Sequence, residues 1–122
     1  MNSITIFIRI RISELEILKF LENFLKMAIG SVEMDNDNAE YFLQHIEYSE
    51  GFKTMVCLTG PTRKEYYLDE KKISKAISQT YKTKTLIEIE SSTNEPKYLL
   101  IDENGEEKYV NTIELEDGIE IK

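Results

Sequence analysis

The chain is poor in the residues that carry covalent or metal chemistry. Among its 122 residues there is one cysteine, Cys57, and one histidine, His45. An internal disulfide and an all-cysteine metal site are therefore excluded, which fits a reducing compartment. Long apolar runs are missing too. No window approaches the roughly 18 uninterrupted apolar residues that a membrane span needs. Arg9 and Arg11 break the first apolar run and no small-residue cleavage site follows, so we expect no secretory leader and a cytoplasmic protein. Neither G-x-G-x-x-G nor G-x-x-x-x-G-K-[ST] occurs, which removes the usual backbone cradles for phosphate. The nearest approach, Gly60-Pro61-Thr62-Arg63-Lys64, is a turn with two cations and no glycine-rich nest, and it reads as a solvated loop.

What is abundant is negative charge, unevenly placed. Residues 88–122 hold eleven acids against three lysines, which equals the whole formal net charge of −8. Residues 31–50 hold six acids and no lysine or arginine, whereas residues 63–84 hold seven basic residues and three acids. Acidic faces of this size repel phosphate backbones, so nucleic acid is not the expected partner.

The spine of the chain is residues 4–12, with isoleucine at every even position and Thr5, Phe7, Arg9 and Arg11 between. Side chains alternate faces along a strand, so this pattern builds an isoleucine wall on one side. Ser13-Glu14-Leu15-Glu16 is a capping box. Ile17, Leu18, Leu21, Phe24, Leu25 and Ala28 then recur at helical spacing, predicting a helix over 14–29 that stops at Gly30. Asp35-Asn36-Asp37-Asn38 is a loop signal. Runs at 40–49 and 53–59 flank Glu50-Gly51 as a hairpin, and Met55-Val56-Cys57-Leu58, apolar on both faces, reads as an interior strand. Asp69 caps a second helix over 70–82, with Leu68 and Ile73 placed as a hydrophobic staple. Its buried stripe is Ile73, Ala76, Ile77, Thr80 and Tyr81, and Ser78 falls on the wet side. The tail reads as strands at 85–90, 98–101, 108–115 and 119–121. Their turns are Asn94-Glu95-Pro96, Asp102-Glu103-Asn104-Gly105 and Glu116-Asp117-Gly118.

The order predicts one α+β domain over residues 1–122. Its β-α-β-β-α-β core follows the ferredoxin-like split-βαβ plan and is extended by C-terminal β-hairpins. Both helices cover one face of a mixed or antiparallel sheet. The other face, carrying Phe7, Arg9 and Arg11, is either wet or covered by the tail hairpin.

Candidate chemistry is thin. His45 and Cys57 face each other if the hairpin loop has three residues and do not if it has two, so a thiolate–imidazole pair depends on register. Without a glycine-rich oxyanion turn, a structural cysteine beside a strand histidine is the expected outcome. The Asp35–Asn38 run fails as a calcium loop, because the required oxygen ligand, glycine and glutamate fall on Ala39, Glu40 and Ile46. We expect no enzyme activity, no metal and no cofactor. Tyr41, Tyr48, Tyr66, Tyr67, Tyr98 and Tyr109 lie in or beside strands and loops amid carboxylates. That composition suits a protein interface as well as an ordinary amphipathic sheet.

The acidic loop at 33–40, the Glu-rich hairpins around Asp102-Glu103-Asn104-Gly105 and Glu116-Asp117-Gly118, and the missing catalytic signatures give a chain that resembles the small acidic immunity proteins of bacterial toxin systems. The resemblance implies a non-catalytic inhibitor that covers a basic partner, such as a toxin nuclease, with acidic and aromatic side chains. From the charge layout, the expected contacts are Asp35, Asp37, Glu40 and Tyr41, then Asp102, Glu103, Glu116 and Asp117. A small-ligand or regulatory ferredoxin-like domain, and a module that self-associates through sheet edges, are the alternatives.

Overall fold

A computed structural model describes residues 2–61, 68–89 and 97–122. The first strand, β1 (Asn2–Ile8), buries Ile4, Ile6 and Ile8 at 7%, 1% and 0% exposure. The chain bends at Arg9 and Ile10, so the strand is shorter than the alternation implied. Ile10 turns out to solvent while Ile12 returns to the core.

Ser13 caps α1 (Glu14–Leu25) by accepting a hydrogen bond from the Glu16 amide, 3.2 Å away. The helix stops four residues before the expected end. Lys26 adopts left-handed geometry, its amide bonding the Glu22 carbonyl. The Glu22 carboxylate then takes the Ile29 amide at 2.9 Å. Ile29 thereby enters a short strand, β2 (Ile29–Ser31), parallel to β3 (Tyr41–Glu47), and Ala28 is exposed. Burial of Ile29 beside β3 wins over one more helical turn.

Next come β4 (Glu50–Gly51), β5 (Thr54–Gly60) and α2 (Glu70–Tyr81), the last capped by Asp69 through the Lys72 amide. Leu68 and Ile73 are both buried in the same core, as a staple requires. The buried stripe of α2 is Ile73, Ser74, Ile77 and Ser78, and Thr80 is exposed. Ser78 belongs inside because it has partners there. Its hydroxyl donates to the Ile101 carbonyl at 3.1 Å and lies 2.8 Å from the Thr85 hydroxyl. Phe20 and Tyr81 meet edge-on at 5.5 Å, joining the two helices.

The remaining strands are β6 (Thr85–Ile89), β7 (Lys97–Ile101), β8 (Glu107–Val110), β9 (Thr112–Leu115) and β10 (Gly118–Ile121). The expected strand at 108–115 is thus two strands that part at Asn111 and join different sheets. The main sheet runs β2-β3-β5-β1-β6-β7-β8, and a small sheet runs β4-β10-β9. The architecture is α+β, and β2 makes the main sheet mixed.

One face of the main sheet packs on both helices: the even isoleucines of β1, with Leu43, Val56, Leu58, Ile87 and Leu99, share a core with Ile17, Leu18, Leu21, Ile73 and Ile77. The back face has a second, smaller core of Phe52, Leu86 and Ile119, flanked by Phe7, Tyr98, Leu100, Val110 and Ile121. Of the two fates left open for that face, the tail hairpin covers part of it.

Replacing Ile6 or Leu21 by aspartate places an unpaired charge in the larger core, at a cost of several kcal/mol or a forced protonation. Neither variant should give a folded, soluble protein by circular dichroism and gel filtration at neutral pH.

Candidate binding cleft under the tail hairpin

Three contacts strap the small sheet to the back face. Arg9 forks onto Glu120, with both Nη atoms 2.7 Å from the two carboxylate oxygens. The same guanidinium lies 4.1 Å above the Phe52 ring, so one planar cation serves an ion pair and an aromatic face together. Asp117 accepts from the Ser49 amide at 2.9 Å and from its hydroxyl at 2.7 Å. Finally, β4 and β10 run parallel, with Gly118 opposite Glu50 and Ile119 opposite Gly51. Gly51 has φ +64°, and a side chain there would collide with the Ile119 carbonyl. A side chain at Gly118 would meet the Glu50 carbonyl.

Beside this strap lies an open cleft of about 260 Å³, lined by Phe7, Tyr48, Tyr98, Glu114, Leu115, Gly118 and Ile119. Three of these side chains are there for traceable reasons. Phe7 is an odd residue of β1 and so faces away from the helices. Tyr98 pairs with Glu88 across β6–β7. Glu114 pairs with Ile119, so it shares the face of β10 that packs on the main sheet. Burial pushes the Tyr98 phenol up, and the carboxylates of Glu88 and Glu114 push the same way against a hydrogen bond to Thr112. The cleft is therefore an aromatic floor under negative potential.

The acids singled out from the charge layout do not form one surface. Asp35, Asp37 and Glu40 are exposed in the loop before β3, at the sheet end where Phe42 faces Thr59. Asn36 there holds its own loop through the Asn38 amide at 3.0 Å. Tyr41 is 4% exposed and packed in the main core, because it faces the helices and lies against Gly60; its ring is not a surface anchor. Asp102 and Glu103 are at the opposite end, beside Ile101 and Thr85. β3 and β7 are four strand spacings apart, or roughly 19 Å. The Asp102 carboxylate accepts from the Asn104 and Glu106 amides, both at 2.9 Å, and so builds its own turn. Glu103 reaches Lys84 at 3.7 Å. Glu116 is exposed next to Asp117, which holds the strap.

His45 and Cys57 are not partners. The register sets His45 against Val56 and Gln44 against Cys57, which puts the two side chains on opposite faces. His45 Nε2 lies 2.7 Å from the Ile12 carbonyl. Burial raises the Cys57 thiol, but hydrogen bonds with Thr5, Ser3 and Thr59 outweigh it and the net shift is downward. Among the described residues, no group of three histidine, cysteine or acidic side chains is placed to hold a metal, and no helix is long and apolar enough to cross a membrane. Tyr66, Tyr67, most of the Gly60–Lys64 turn and the Asn94–Pro96 turn lie outside the described residues. Tyr109 is 68% exposed on the outer strand β8.

The cleft itself was not assembled from the sequence, although one signal was available. A two-residue turn at Glu116-Asp117 fixes Leu115 against Gly118 and hence Glu114 against Ile119. Comparison with known protein families, with curated proteins and with solved structures finds no match.

The Arg9 bond holds the Glu120 carboxyl below its ordinary value. A depressed acid contributes stability above its unfolded pKa and loses it as pH falls through the folded one. Glu120→Gln should lower unfolding free energy at pH 7 by on the order of 1 kcal/mol after solvent screening. The difference should vanish below the folded pKa, as read by urea melts at both pH values. Gly51→Ala, which meets the Ile119 backbone, should destabilise by more than about 1 kcal/mol, and the near-ultraviolet signal of the back-face aromatics should report it.

Proposed function

We propose that the protein is a non-catalytic binding protein of the cytoplasm that neutralises a basic protein partner through acidic surface, as the immunity proteins it resembles do. The observation that carries this reading is the state of the tail carboxylates. Among the described residues, Glu103, Glu107 and Glu120 pair with Lys84, Lys71 and Arg9. Among the same described residues, Glu88, Glu106, Glu114 and Glu116 have no cationic partner. Carboxylates at this density repel one another and cost stability, and they steer a cationic partner toward the surface that carries them. Two of them, Glu88 and Glu114, flank an aromatic cleft, and aromatic side chains supply the buried anchors of interfaces. The single cysteine is consistent with a reducing cytoplasm.

The scaffold is, in this reading, a ferredoxin-like core with added strands. The support is the order β3-β5-β1-β6 at the centre of the sheet, which is the split-βαβ arrangement, with β2, β7 and β8 as additions. The small-ligand alternative has less behind it, because the cleft of about 260 Å³ is open and below the usual range of enclosed ligand sites.

The test is kinetic. A partner captured from the producing cells should associate with a rate that falls steeply between about 50 and 500 mM salt. Glu114→Lys together with Glu116→Lys should slow association by about tenfold or more while leaving the melting temperature nearly unchanged. A partner whose association ignores both salt and charge reversal would end this reading.

A further inference from the structure

Among the described residues, no strand pairs with the outer side of β9, which ends the small sheet. β10 lies between β4 and β9, so the free side of β9 faces away from the β3–β5 hairpin. Which groups β9 offers there can be read from the hydrogen bonds of its neighbour. The Ile119 carbonyl is given to the Phe52 amide at 2.9 Å, and the Lys122 amide bonds the Asn111 carbonyl at 2.9 Å. In an antiparallel pair the hydrogen-bonded positions alternate. Ile113 and Leu115 therefore bond β10, while Thr112 and Glu114 turn their N–H and C=O groups to the open edge.

The side chains of the same two residues point inward. Thr112 pairs with Ile121 and Glu114 with Ile119, so both face the main sheet above Tyr98 and Phe7. Where β10 seals its inner face with isoleucine, β9 carries a hydroxyl and a carboxylate. Exposed apolar surface lies on its outer face, where Ile113 is 47% exposed. An inward charge on a short edge strand is a device against random strand pairing. It also selects what is allowed to pair.

We propose that the open edge of β9 accepts an extended segment of a protein partner, with a lysine or arginine opposite Glu114 and apolar residues on either side of it. The inference rests on the reading of the protein as a binder of a basic partner and specifies how that partner is held. A strand added at this edge forms its backbone bonds with Glu114, and the directly opposite residue projects its side chain to the same face as Glu114. That side chain enters the cleft, with the carboxylates of Glu114 and Glu88 beside it and the rings of Phe7 and Tyr98 as its floor. A cation gains both from the carboxylates and from the ring faces. The flanking residues of the segment project outward beside Ile113, which suits β-branched or aliphatic side chains. A second copy of the chain is disfavoured as occupant, because its own β9 brings another inward carboxylate to the same edge. Backbone pairing supplies affinity and the alternating side chains supply the choice of partner, as in other strand-addition complexes.

The probe is acetyl-Val-Arg-Val-Arg-Val-amide, titrated into the 15N-labelled full chain. The expected result is saturable shifts of the Thr112 and Glu114 amides and slowed hydrogen exchange at Glu114. Glu114→Gln should weaken binding by about tenfold, and Glu16→Gln, on α1 across the main sheet from the cleft, should leave it unchanged. The glutamate counterpart of the peptide should not bind, nor should a peptide N-methylated at the residues that bond the edge. No binding of the arginine peptide would overturn the inference. So would binding that tolerates N-methylation or Glu114→Gln, or that leaves Glu114 exchange unaltered. In each case the salt dependence of the protein partner, measured separately, still decides whether the broader acidic-binder reading stands.

Discussion

The fork between Arg9 and Glu120 is the constraint on which the back of this molecule depends. Without it the odd face of β1 would present Phe7, half-buried aromatics and a guanidinium directly to water. With it, a cation that could not be buried alone is neutralised by the tail, covered by one ring of Phe52 and left partly in contact with solvent. Arginine suits the position because its planar head can serve a carboxylate edge-on and an aromatic face-on at once. The smaller core then forms around it: Phe52, Leu86 and Ile119 are sealed because the strap is in place. The cleft is the place where that seal ends.

Much of the helix-facing half of the structure was legible. The isoleucine alternation, both N-caps and the staple at Leu68–Ile73 are local patterns, and each resolves a local question of period or orphan amides. The departures are decided by contacts that lie outside the element itself. α1 stops at Leu25 because Ile29 gains a neighbour in β3. Ser78 is buried because Thr85 and the Ile101 carbonyl wait for it. The run at 108–115 divides at Asn111 because its first half belongs to β7 and its second half to β10. Strand alternation predicts which residues share a face but not which face meets which sheet.

The candidate site followed the same rule. Counting charge located the acidic stretches but could not tell a carboxylate that builds its own turn, as Asp102 does, from one aimed at a cleft, as Glu114 is. Tyr41 looked like an interface tyrosine because it is a strand residue next to an acid. Its face of β3 is the helix-packed one, and register alone determined that.

The strap also has a kinetic meaning. Arg9 and Glu120 stand 111 positions apart in the chain, whereas β3 and β5 meet across a short hairpin. Loop closure over such a separation is entropically costly before any contact rewards it. A tail that docks after the helices and the central strands would follow from that cost. Interactions formed late govern how fast a native protein comes apart rather than how fast it forms. Formed in that order, the Arg9–Glu120 fork and the Ser49–Asp117 clasp would act as a latch on lifetime: loosening them would shorten the residence of the chain in its native state and leave the folding rate almost untouched.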